Sequence, residues 1–225
     1  MTQVLDLSSA QQEALKWLAI VSMLSDHVNR ILLELHVPPL SNFGRLAFPL
    51  FAFLIAYNIV RRGVAPQRYL LPLLGFGLLS QPIYVWAFSR SELNILFTLL
   101  LGVLYILLVR WLQEKGAPRY AAHGVTLLLL AVPSSYVSYK FFGPFLIPLF
   151  VAFLRSPSPV AAPFLGIYLM LTNRLAPISI YTLLIVPALV AVHYVPFTLP
   201  RSSKWIFYGF YPLHLGLLKV LQIAT

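Results

Sequence analysis

Eight long runs of residues with few charges follow one another along the chain, and they constrain its fold more than any other feature. The runs are Leu46–Val60, Tyr69–Ser89, Leu93–Val109, Tyr120–Tyr139, Phe141–Leu154, Ser156–Asn173, Leu175–Pro200 and Trp205–Leu218. Each is close to the roughly 20 residues that cross a bilayer as a helix, although two or three are short. Charged residues make up 10% of the 225-residue chain, against roughly 25% in soluble domains. The sequence therefore excludes a single water-soluble core and predicts a polytopic membrane protein.

A further span, about Leu15–Leu35, precedes these runs and is the least apolar of all. Its polar and charged residues are Lys16, Asp26, His27, Asn29, Arg30 and Glu34. A charge at the centre of a membrane helix costs about 2.5–3.5 kcal/mol on insertion scales, unless its side chain faces protein or a wet cavity. We therefore predict an all-α fold of about nine (8–10) transmembrane helices around a polar intramembrane cavity, and we expect the first helix to line that cavity.

The segment before the first span, residues 1–14, is predicted to be a short cytoplasmic stretch. It is acidic rather than basic and has no cleavage pattern, so it is not expected to be a removable signal peptide. Within it, Ser9 and Gln12 have the spacing of a capping box, which predicts that a helix begins there and continues into the first span. Since the chain has no internal repeat or linker, residues 1–225 are predicted to form one transmembrane domain.

The basic residues are distributed unevenly between the two sides that nine spans would create, and the formal net charge is +10. With the N-terminus inside, the cytoplasmic side receives Lys16, Arg61, Arg62, Arg68, Arg110, Lys115, Arg119, Arg155, Arg201 and Lys204. The other side keeps Arg30, Arg45, Arg90, Lys140, Arg174 and Lys219. This asymmetry favours an orientation with the N-terminus in the cytoplasm and the C-terminus on the other side. Tyr120–Tyr139 and Phe141–Leu154 are separated only by Lys140, and a re-entrant segment there would give eight spans.

Several functional classes are disfavoured. The basic residues lie at the ends of segments, which is typical of loops anchored at a membrane rather than of nucleic-acid binding. The chain has no cysteine, which removes disulfides, thiolate metal sites and a thioester-forming nucleophile. His36, His123 and His193 lie at no ligand spacing, so no metal site is predicted.

Six residues of the first span are spaced three or four apart and fall on one helical stripe, namely Lys16, Ile20, Met23, His27, Arg30 and Glu34. Lys16 and His27 are separated by three turns, a rise of roughly 16 Å, so a cation lies at the predicted cytoplasmic mouth and an imidazole deep in the membrane. Asp26 lies about 100° around the helix from His27 and is better placed to pair with Arg30 at i+4. A purely structural polar cluster remains the alternative interpretation.

Other polar residues recur within apolar segments. Tyr211 and His214 are i, i+3 neighbours in the last span, and we expect them to reach the same cavity as His27. The remaining candidates are Gly44 with Arg45, Gln81 within Ser80-Gln81-Pro82, and Asn94 with Thr98 at i, i+4. Taken alone, these three groups also fit an interfacial anchor, a proline kink and a helix-capping asparagine.

In these motifs the chain resembles the TraX family of integral membrane proteins over nearly its whole length. The matching elements are Leu15-Lys16, Ser25-Asp26-His27, the segments Gly44–Phe53 and Asn94–Gly102, and Phe210-Tyr211-Pro212-Leu213-His214-Leu215. The family's named member acetylates the N-terminus of a conjugative pilin. Lys16 and His27 also match the basic-x10-His pattern of a larger membrane acyltransferase family, where the basic residue is associated with acyl-coenzyme A and the histidine with catalysis. Tyr57-Asn58 departs from a glutamate–glycine pair carried by many members.

The resemblance implies an acyltransferase in the lipid of a bacterial inner membrane. It would use acetyl-CoA to acetylate an amine of a pilin-like peptide or another envelope acceptor. His27 is the expected general base, with Asp26 beside it, because imidazole titrates near neutral pH. The expected substrate- and cofactor-binding residues are Lys16, Arg30, Arg45, Gln81, Asn94, Thr98, Tyr211 and His214. Direct transfer and an acyl-histidine intermediate both remain open. The alternative is a small transporter or assembly scaffold, in which intramembrane His and Asp relay protons or fix packing.

Overall fold

The structure, a computed structural model, describes residues 6–194 and 198–224. Residues 1–5 of the predicted cytoplasmic segment and 195–197 of the predicted run Leu175–Pro200 lie outside the described residues. The α-helices are α1 (Ser9–Ile31), α2 (Pro38–Gly44), α3 (Ala47–Arg61), α4 (Leu70–Phe88), α5 (Ile95–Glu114), α6 (Arg119–Ser134), α7 (Leu146–Arg155), α8 (Ala161–Leu171), α9 (Ile185–Tyr194) and α10 (Lys204–Ala224). Short 3₁₀ helices cover Pro66–Tyr69, Lys140–Phe142 and Pro177–Leu184. The described chain has no β-strand, which confirms the predicted all-α fold.

Within the described residues, five helical stretches are long and apolar enough to cross a membrane. They are Pro38–Arg61, Pro66–Phe88, Ile95–Glu114, Pro177–Tyr194 and Lys204–Ala224. Large apolar side chains on the outside of the bundle remain exposed, such as Leu71 at 77% and Leu213 at 72%. Exposed apolar surface of this kind marks contact with lipid or protein, so the chain is a helical membrane protein. The prediction of about nine spans goes beyond these five and stays a prediction.

The first helix begins one residue earlier than the sequence pattern predicted. The capping box is formed by Ser8 and Gln11, not by Ser9 and Gln12. Ser8 has an extended backbone and its Oγ accepts from the Gln11 N–H at 3.1 Å, while Gln11 Oε1 accepts from the Ser8 N–H at 2.8 Å. At the other terminus α1 ends at Ile31, so Glu34, the last residue of the predicted stripe, lies outside the helix.

The long helices alternate in direction along the chain, so the loops gather at two ends of the bundle. At one end, Tyr57 of α3 accepts a hydrogen bond from the backbone N–H of Leu7, just before α1, at 2.7 Å. At the other end, Asn29 near the end of α1 donates to Ser41 of α2 at 2.9 Å. We call these the Lys16 end and the Arg30 end, after the α1 residues nearest to each.

The centre of the bundle is formed by α1 and α3. Leu15 and Ala19 of α1 and Leu50, Ala52 and Ala56 of α3 are all 0% exposed. The small side chains among them allow the two helices to approach closely, as is common between membrane helices. The polar face of α1 lines a cavity together with residues of α3, α4, α5 and α10, and the candidate site lies there.

Candidate functional site

A cavity of about 900 Å³ extends along α1 from the Lys16 end to the Arg30 end. From α1 it is lined by Ser9, Gln12, Glu13, Lys16, Met23, Asp26, His27 and Arg30. The middle of the cavity also has an apolar wall, to which Phe48 and Leu54 of α3 and Leu99 of α5 contribute. The structure therefore places Lys16 and His27, the two outstanding residues of the stripe, on one continuous cavity.

Cations outnumber anions in this lining. It includes ten of the 16 Lys and Arg residues of the chain, namely Lys16, Arg62, Arg68, Arg201 and Lys204 at the Lys16 end and Arg30, Arg45, Arg90, Lys140 and Arg174 at the Arg30 end. The acidic lining residues are Glu13, Asp26 and Glu92. Since the excess of positive charge is present at both ends, each end suits an anionic group.

His27 and His214 form a direct hydrogen bond in the wall of the cavity. Nδ1 of His27 lies 2.7 Å from Nε2 of His214, and the two rings are parallel within 3°. Nδ1 of His214 lies 2.6 Å from the backbone carbonyl oxygen of Phe210, one turn earlier in α10. His214 is buried behind His27, at 6% exposure, and does not itself line the cavity.

These two hydrogen bonds fix the tautomers of both neutral imidazoles. The Phe210 carbonyl can only accept, so the hydrogen of His214 is on Nδ1. A neutral imidazole has one N–H, so Nε2 of His214 accepts and Nδ1 of His27 donates. The hydrogen of His27 is thus on Nδ1, and its Nε2 keeps the lone pair that can take a proton. We call the arrangement of His27, His214 and the Phe210 carbonyl the histidine relay.

Asp26 is held between two arginines beside the histidine relay. Arg30 Nε donates to Asp26 Oδ2 at 2.8 Å, which confirms the predicted i, i+4 pair. Arg45 donates from its Nη2 to Asp26 Oδ1, also at 2.8 Å, and from its Nη1 to Asn173 Oδ1 at 3.0 Å. One carboxylate between two guanidinium groups leaves a net positive charge next to His27.

Gly44 allows α1 and α2 to approach each other closely beside Asp26. A Cβ atom at position 44 would lie 2.3 Å from the Cβ of Asp26, which is closer than any real pair of such atoms. Only glycine therefore lets the end of α2 pass the Asp26 side chain, and it brings Arg45 to the carboxylate.

At the Lys16 end, Lys16 pairs with Glu13 at 3.0 Å and lies 5.2 Å from the centre of the Phe207 ring. Burial raises the pKa of the Glu13 carboxyl, but hydrogen bonds from Ser202 and Lys16 and the charge of Lys16 outweigh it and hold the pKa below its ordinary value. Glu13 is therefore ionised at neutral pH and fixes the Lys16 ammonium at the cavity wall.

Tyr211 also reaches the cavity, as expected from its position in the last span. Its ring centre lies 6.4 Å from that of His27, and the side chain is 3% exposed. The backbone of Ile95, the first residue of α5, lies close to its hydroxyl. A backbone N–H at a helix start has no partner in its own helix, so it does not compete for the hydrogen of the Tyr211 hydroxyl, which can be donated.

Gln81, Asn94 and Thr98 do not join this group. Asn94 caps α5 by accepting from the Leu96 N–H at 3.0 Å, and Gln81 accepts from the Asn94 N–H at 2.9 Å. Thr98 donates to the Ser138 carbonyl at 2.7 Å. These hydrogen bonds engage the polar atoms of all three side chains in joining the α4–α5 turn to the α6–α7 turn. None of the three side chains lines the cavity. Their predicted part in substrate binding stays a prediction.

Several site residues were not singled out from the sequence. Asn173, which holds Arg45, and Tyr139 had no distinctive pattern. Lys140 and Arg174 were visible only as cations retained on the side of the membrane predicted to have fewer of them. The Phe210 carbonyl had no sequence signal, because every residue has one. Among residues 6–194 and 198–224, no group of three or more His, Cys, Asp or Glu is arranged to hold a metal ion.

Comparison with known proteins covers nearly the same residues as this fold. Residues 11–222 match the sequence model of a family described as TraX protein. A curated relative from Escherichia coli, named Protein TraX, is 32% identical over 137 residues, which are 60% of this chain and 53% of the relative. A second, from Escherichia coli strain K12 and with the same name, is 34% identical over 139 residues with the same shares. The chain thus spans about half the length of these relatives, and no solved structure matches it.

Proposed function

The chain belongs to the TraX family, and from this premise we propose that it is an integral membrane acyltransferase. In the proposed reaction, the acetyl group of acetyl-CoA passes to an amine of a pilin-like peptide or another envelope acceptor. The observation that carries the proposal is the histidine relay in the wall of a cavity rich in cations. We further propose about nine spans in a bacterial inner membrane, with the N-terminus in the cytoplasm and the Arg30 end on the opposite side.

His27 acts as the general base. As the acceptor nitrogen attacks the acetyl carbon, Nε2 of His27 removes the proton from that nitrogen. The hydrogen bond from its Nδ1 to His214 holds the ring in the tautomer that leaves Nε2 unprotonated. Such proton transfer is typically worth 10²–10⁴-fold in rate. His214, whose two nitrogens are both engaged, is a positioning residue rather than a contact to the oxyanion.

Tyr211 and the arginines stabilise the negative charge that forms on the acetyl oxygen. The Tyr211 hydroxyl has a hydrogen to donate, and the Asp26–Arg30–Arg45 cluster brings a net positive charge. A donor prearranged toward developing charge contributes several kcal/mol when water is excluded, about 2.7–4 in known cases. Attack on the acetyl carbon gives a tetrahedral intermediate, which collapses when the C–S bond breaks while the new C–N bond remains. The coenzyme A thiolate leaves and takes the proton from His27.

The Lys16 end binds the donor in this proposal. Its five lining cations suit the phosphates of coenzyme A, because lysine and arginine are the usual partners of phosphate groups. The rise along α1 from Lys16 to His27 is about 16 Å. The pantetheine arm of coenzyme A is long enough to bring the thioester to His27 while its nucleotide stays at the mouth.

The test is acetyl transfer by the purified chain in lipid nanodiscs. Radiolabelled acetyl-CoA is supplied with a short peptide that has an unmodified N-terminus, and the product is followed by mass spectrometry. We expect acetyl-CoA to bind and the peptide amine to be acetylated. A protein that neither binds acetyl-CoA nor acetylates any supplied amine would show that the proposal is wrong.

A further inference from the structure

We propose that the acceptor peptide has an acidic residue close to its amino terminus, and that the Arg30 end binds this carboxylate. The inference rests on the proposed function and names the chemistry of its acceptor. The first observation is the charge of the Arg30 end, where five cations and two anions, Asp26 and Glu92, line the cavity. The lining of this end therefore has a net charge of +3, five positive charges less two negative ones.

Two of these cations are available to a ligand. Asp26 is taken by Arg30 and Arg45, and Glu92 lies 3.3 Å from Arg90. Lys140 and Arg174 are exposed at the rim of the cavity, and within the described residues neither makes an ion pair. An anion that enters from this end therefore meets unpaired cations before it reaches His27.

The placement of these cations runs against the usual bias of membrane proteins. Lysine and arginine are normally depleted from the side opposite the cytoplasm. Of the six basic residues predicted on that side, five line the cavity and only Lys219 does not. Cations that merely anchored loops would not be concentrated around one cavity, so this distribution indicates a binding role.

Unfavourable backbone conformations are also concentrated at the Arg30 end. Within the described chain, the residues other than glycine with positive φ are Glu34, Leu35, Ser89, Tyr139, Lys140, Arg174 and Leu175. All seven lie between the helices at the Arg30 end, and Lys140 begins the 3₁₀ helix there. The left-handed conformation costs a residue with a side chain about 1–2 kcal/mol, and such residues concentrate at functional sites. Lys140 and Arg174 are thus held at the rim in spite of this strain.

The geometry sets where the carboxylate would lie relative to the amine. Arg30 follows His27 by three residues, so their side chains share one face of α1 with a rise of about 4.5 Å. The Arg30 Nε is bonded to Asp26, and its two terminal nitrogens make no hydrogen bond within the described residues. In an extended peptide each residue spans about 3.3–3.6 Å, so an amine at His27 brings the second or third residue to Arg30 and the rim.

A peptide fits this end better than a lipid headgroup. A second hollow of about 380 Å³ adjoins the cavity and shares Arg90, Glu92 and Lys140 with it. Its other lining residues are polar, among them Ser89, Ser91 and Ser135, and they belong to the turns beyond the helices. The polar surface therefore continues outward from the bundle, as an acceptor with further residues would require.

The experiment compares three peptide amides that differ only in the second residue, which is glutamate, glutamine or lysine. The full chain is assayed in phosphatidylcholine nanodiscs with acetyl-CoA. We expect kcat/KM to be about tenfold higher for the glutamate peptide than for the glutamine peptide, the factor typical of one hydrogen bond to a charged group. The lysine peptide should be poorest, and added salt should reduce the differences.

The variant that tests the site is Lys140→Gln combined with Arg174→Gln. It should lose most of the preference for glutamate, while Lys219→Gln, a cation at the same end that lies off the cavity, should keep it. Equal kcat/KM for the glutamate and glutamine peptides, or a preference that survives in the double variant, would overturn this inference while leaving the acyltransferase intact.

The other outcomes separate the two proposals. Acetylation of none of the three peptides would count against the proposed function itself. Nanodiscs that contain phosphatidylethanolamine, which has an amine next to a phosphate, supply the competing acceptor. Acetylated phosphatidylethanolamine in preference to the glutamate peptide would overturn the peptide as the ligand of this end.

Discussion

Nδ1 of His27 and Nε2 of His214 lie 2.7 Å apart although 187 residues separate the two histidines in the chain. The bond joins the first and the last helix and orients the imidazole that lines the cavity. One histidine is available to a substrate and the other is engaged on both sides, so substitutions at the two positions should differ in effect.

Removal of the His27 imidazole should abolish acetyl transfer. We expect His27→Ala to lower the rate by at least about 10²-fold, the lower range for a general base. Insertion and helicity should be unchanged, because the substitution removes a polar group from a helix that is proposed to lie in the membrane. Circular dichroism checks the second point, and His36→Ala, at an exposed histidine of the α1–α2 turn, is the control. Retention of more than about a tenth of the rate would contradict the assignment of the base.

Replacement of His214 should act on kcat through His27. His214→Ala removes the acceptor of the His27 Nδ1–H, so both tautomers become accessible and kcat should fall about tenfold or more. His214→Gln offers a carbonyl oxygen in place of Nε2 and an amide group toward Phe210, and it should recover a good part of the loss. KM for acetyl-CoA should stay the same in both. If glutamine is no better than alanine, the relay is not what orients His27.

A methyl group on residue 44 should disturb the cluster around Asp26. Gly44→Ala would place a Cβ atom 2.3 Å from the Asp26 Cβ, and overpacking of this kind typically costs about 1–3 kcal/mol. We expect a lower melting temperature and a lower kcat, since Arg45 moves away from the carboxylate. Gly75→Ala in α4 is the matched control, because nothing lies within 4 Å of its Cβ position. It should leave the melting temperature the same or raise it.

Loss of the Lys16 charge should weaken donor binding. Lys16→Gln should raise KM for acetyl-CoA about fivefold to tenfold, which corresponds to one charged contact with a phosphate. We expect little change in kcat, since Lys16 is three turns from His27. Lys115→Gln, in the turn after α5 and off the cavity, should behave like the unmodified protein. An equal effect of the two substitutions would mean that net charge, not this site, determines donor affinity.

Donor and acceptor should be used from opposite sides of the membrane. In sealed right-side-out vesicles, acetyl-CoA added outside should support no transfer, because the proposed orientation places the Lys16 end on the inside. Permeabilised vesicles give the full rate for comparison. Equal rates in sealed and permeabilised vesicles would disprove this sidedness.

Local features of the site could be predicted from the sequence, and long-range ones only in part. The pairing of Asp26 with Arg30 follows from helical periodicity, so it was predictable. The capping box was misplaced by one residue because Ser8 and Gln11 have the same types and spacing as Ser9 and Gln12. The extended backbone of Ser8 decides between the pairs, and periodicity carries no information on that.

Contacts between distant segments depend on how the helices rotate about their axes. The approach of Tyr211 and His214 to His27 could be expected from polarity alone, but the hydrogen bond between the imidazoles could not. The partnership of Arg45 with Asp26 depends on the close approach at Gly44, which is set by tertiary packing. Gln81, Asn94 and Thr98 look like binding residues in sequence because a helix junction needs the same polar types.

The residues with a left-handed backbone conformation at the Arg30 end suggest how a more thermostable form of the protein could be engineered. At the Lys16 end the positive-φ positions are occupied by Gly63 and Gly116, which adopt that conformation without strain. Selection for thermal stability alone would place glycine at the positive-φ positions of the Arg30 end as well. Leu35→Gly and Leu175→Gly remove no charge, so they are sites where heat resistance can rise while acceptor recognition is kept. The same change at Lys140 or Arg174 would also raise thermal stability, but at the cost of the proposed preference for an acidic acceptor, a trade-off that is common at binding sites.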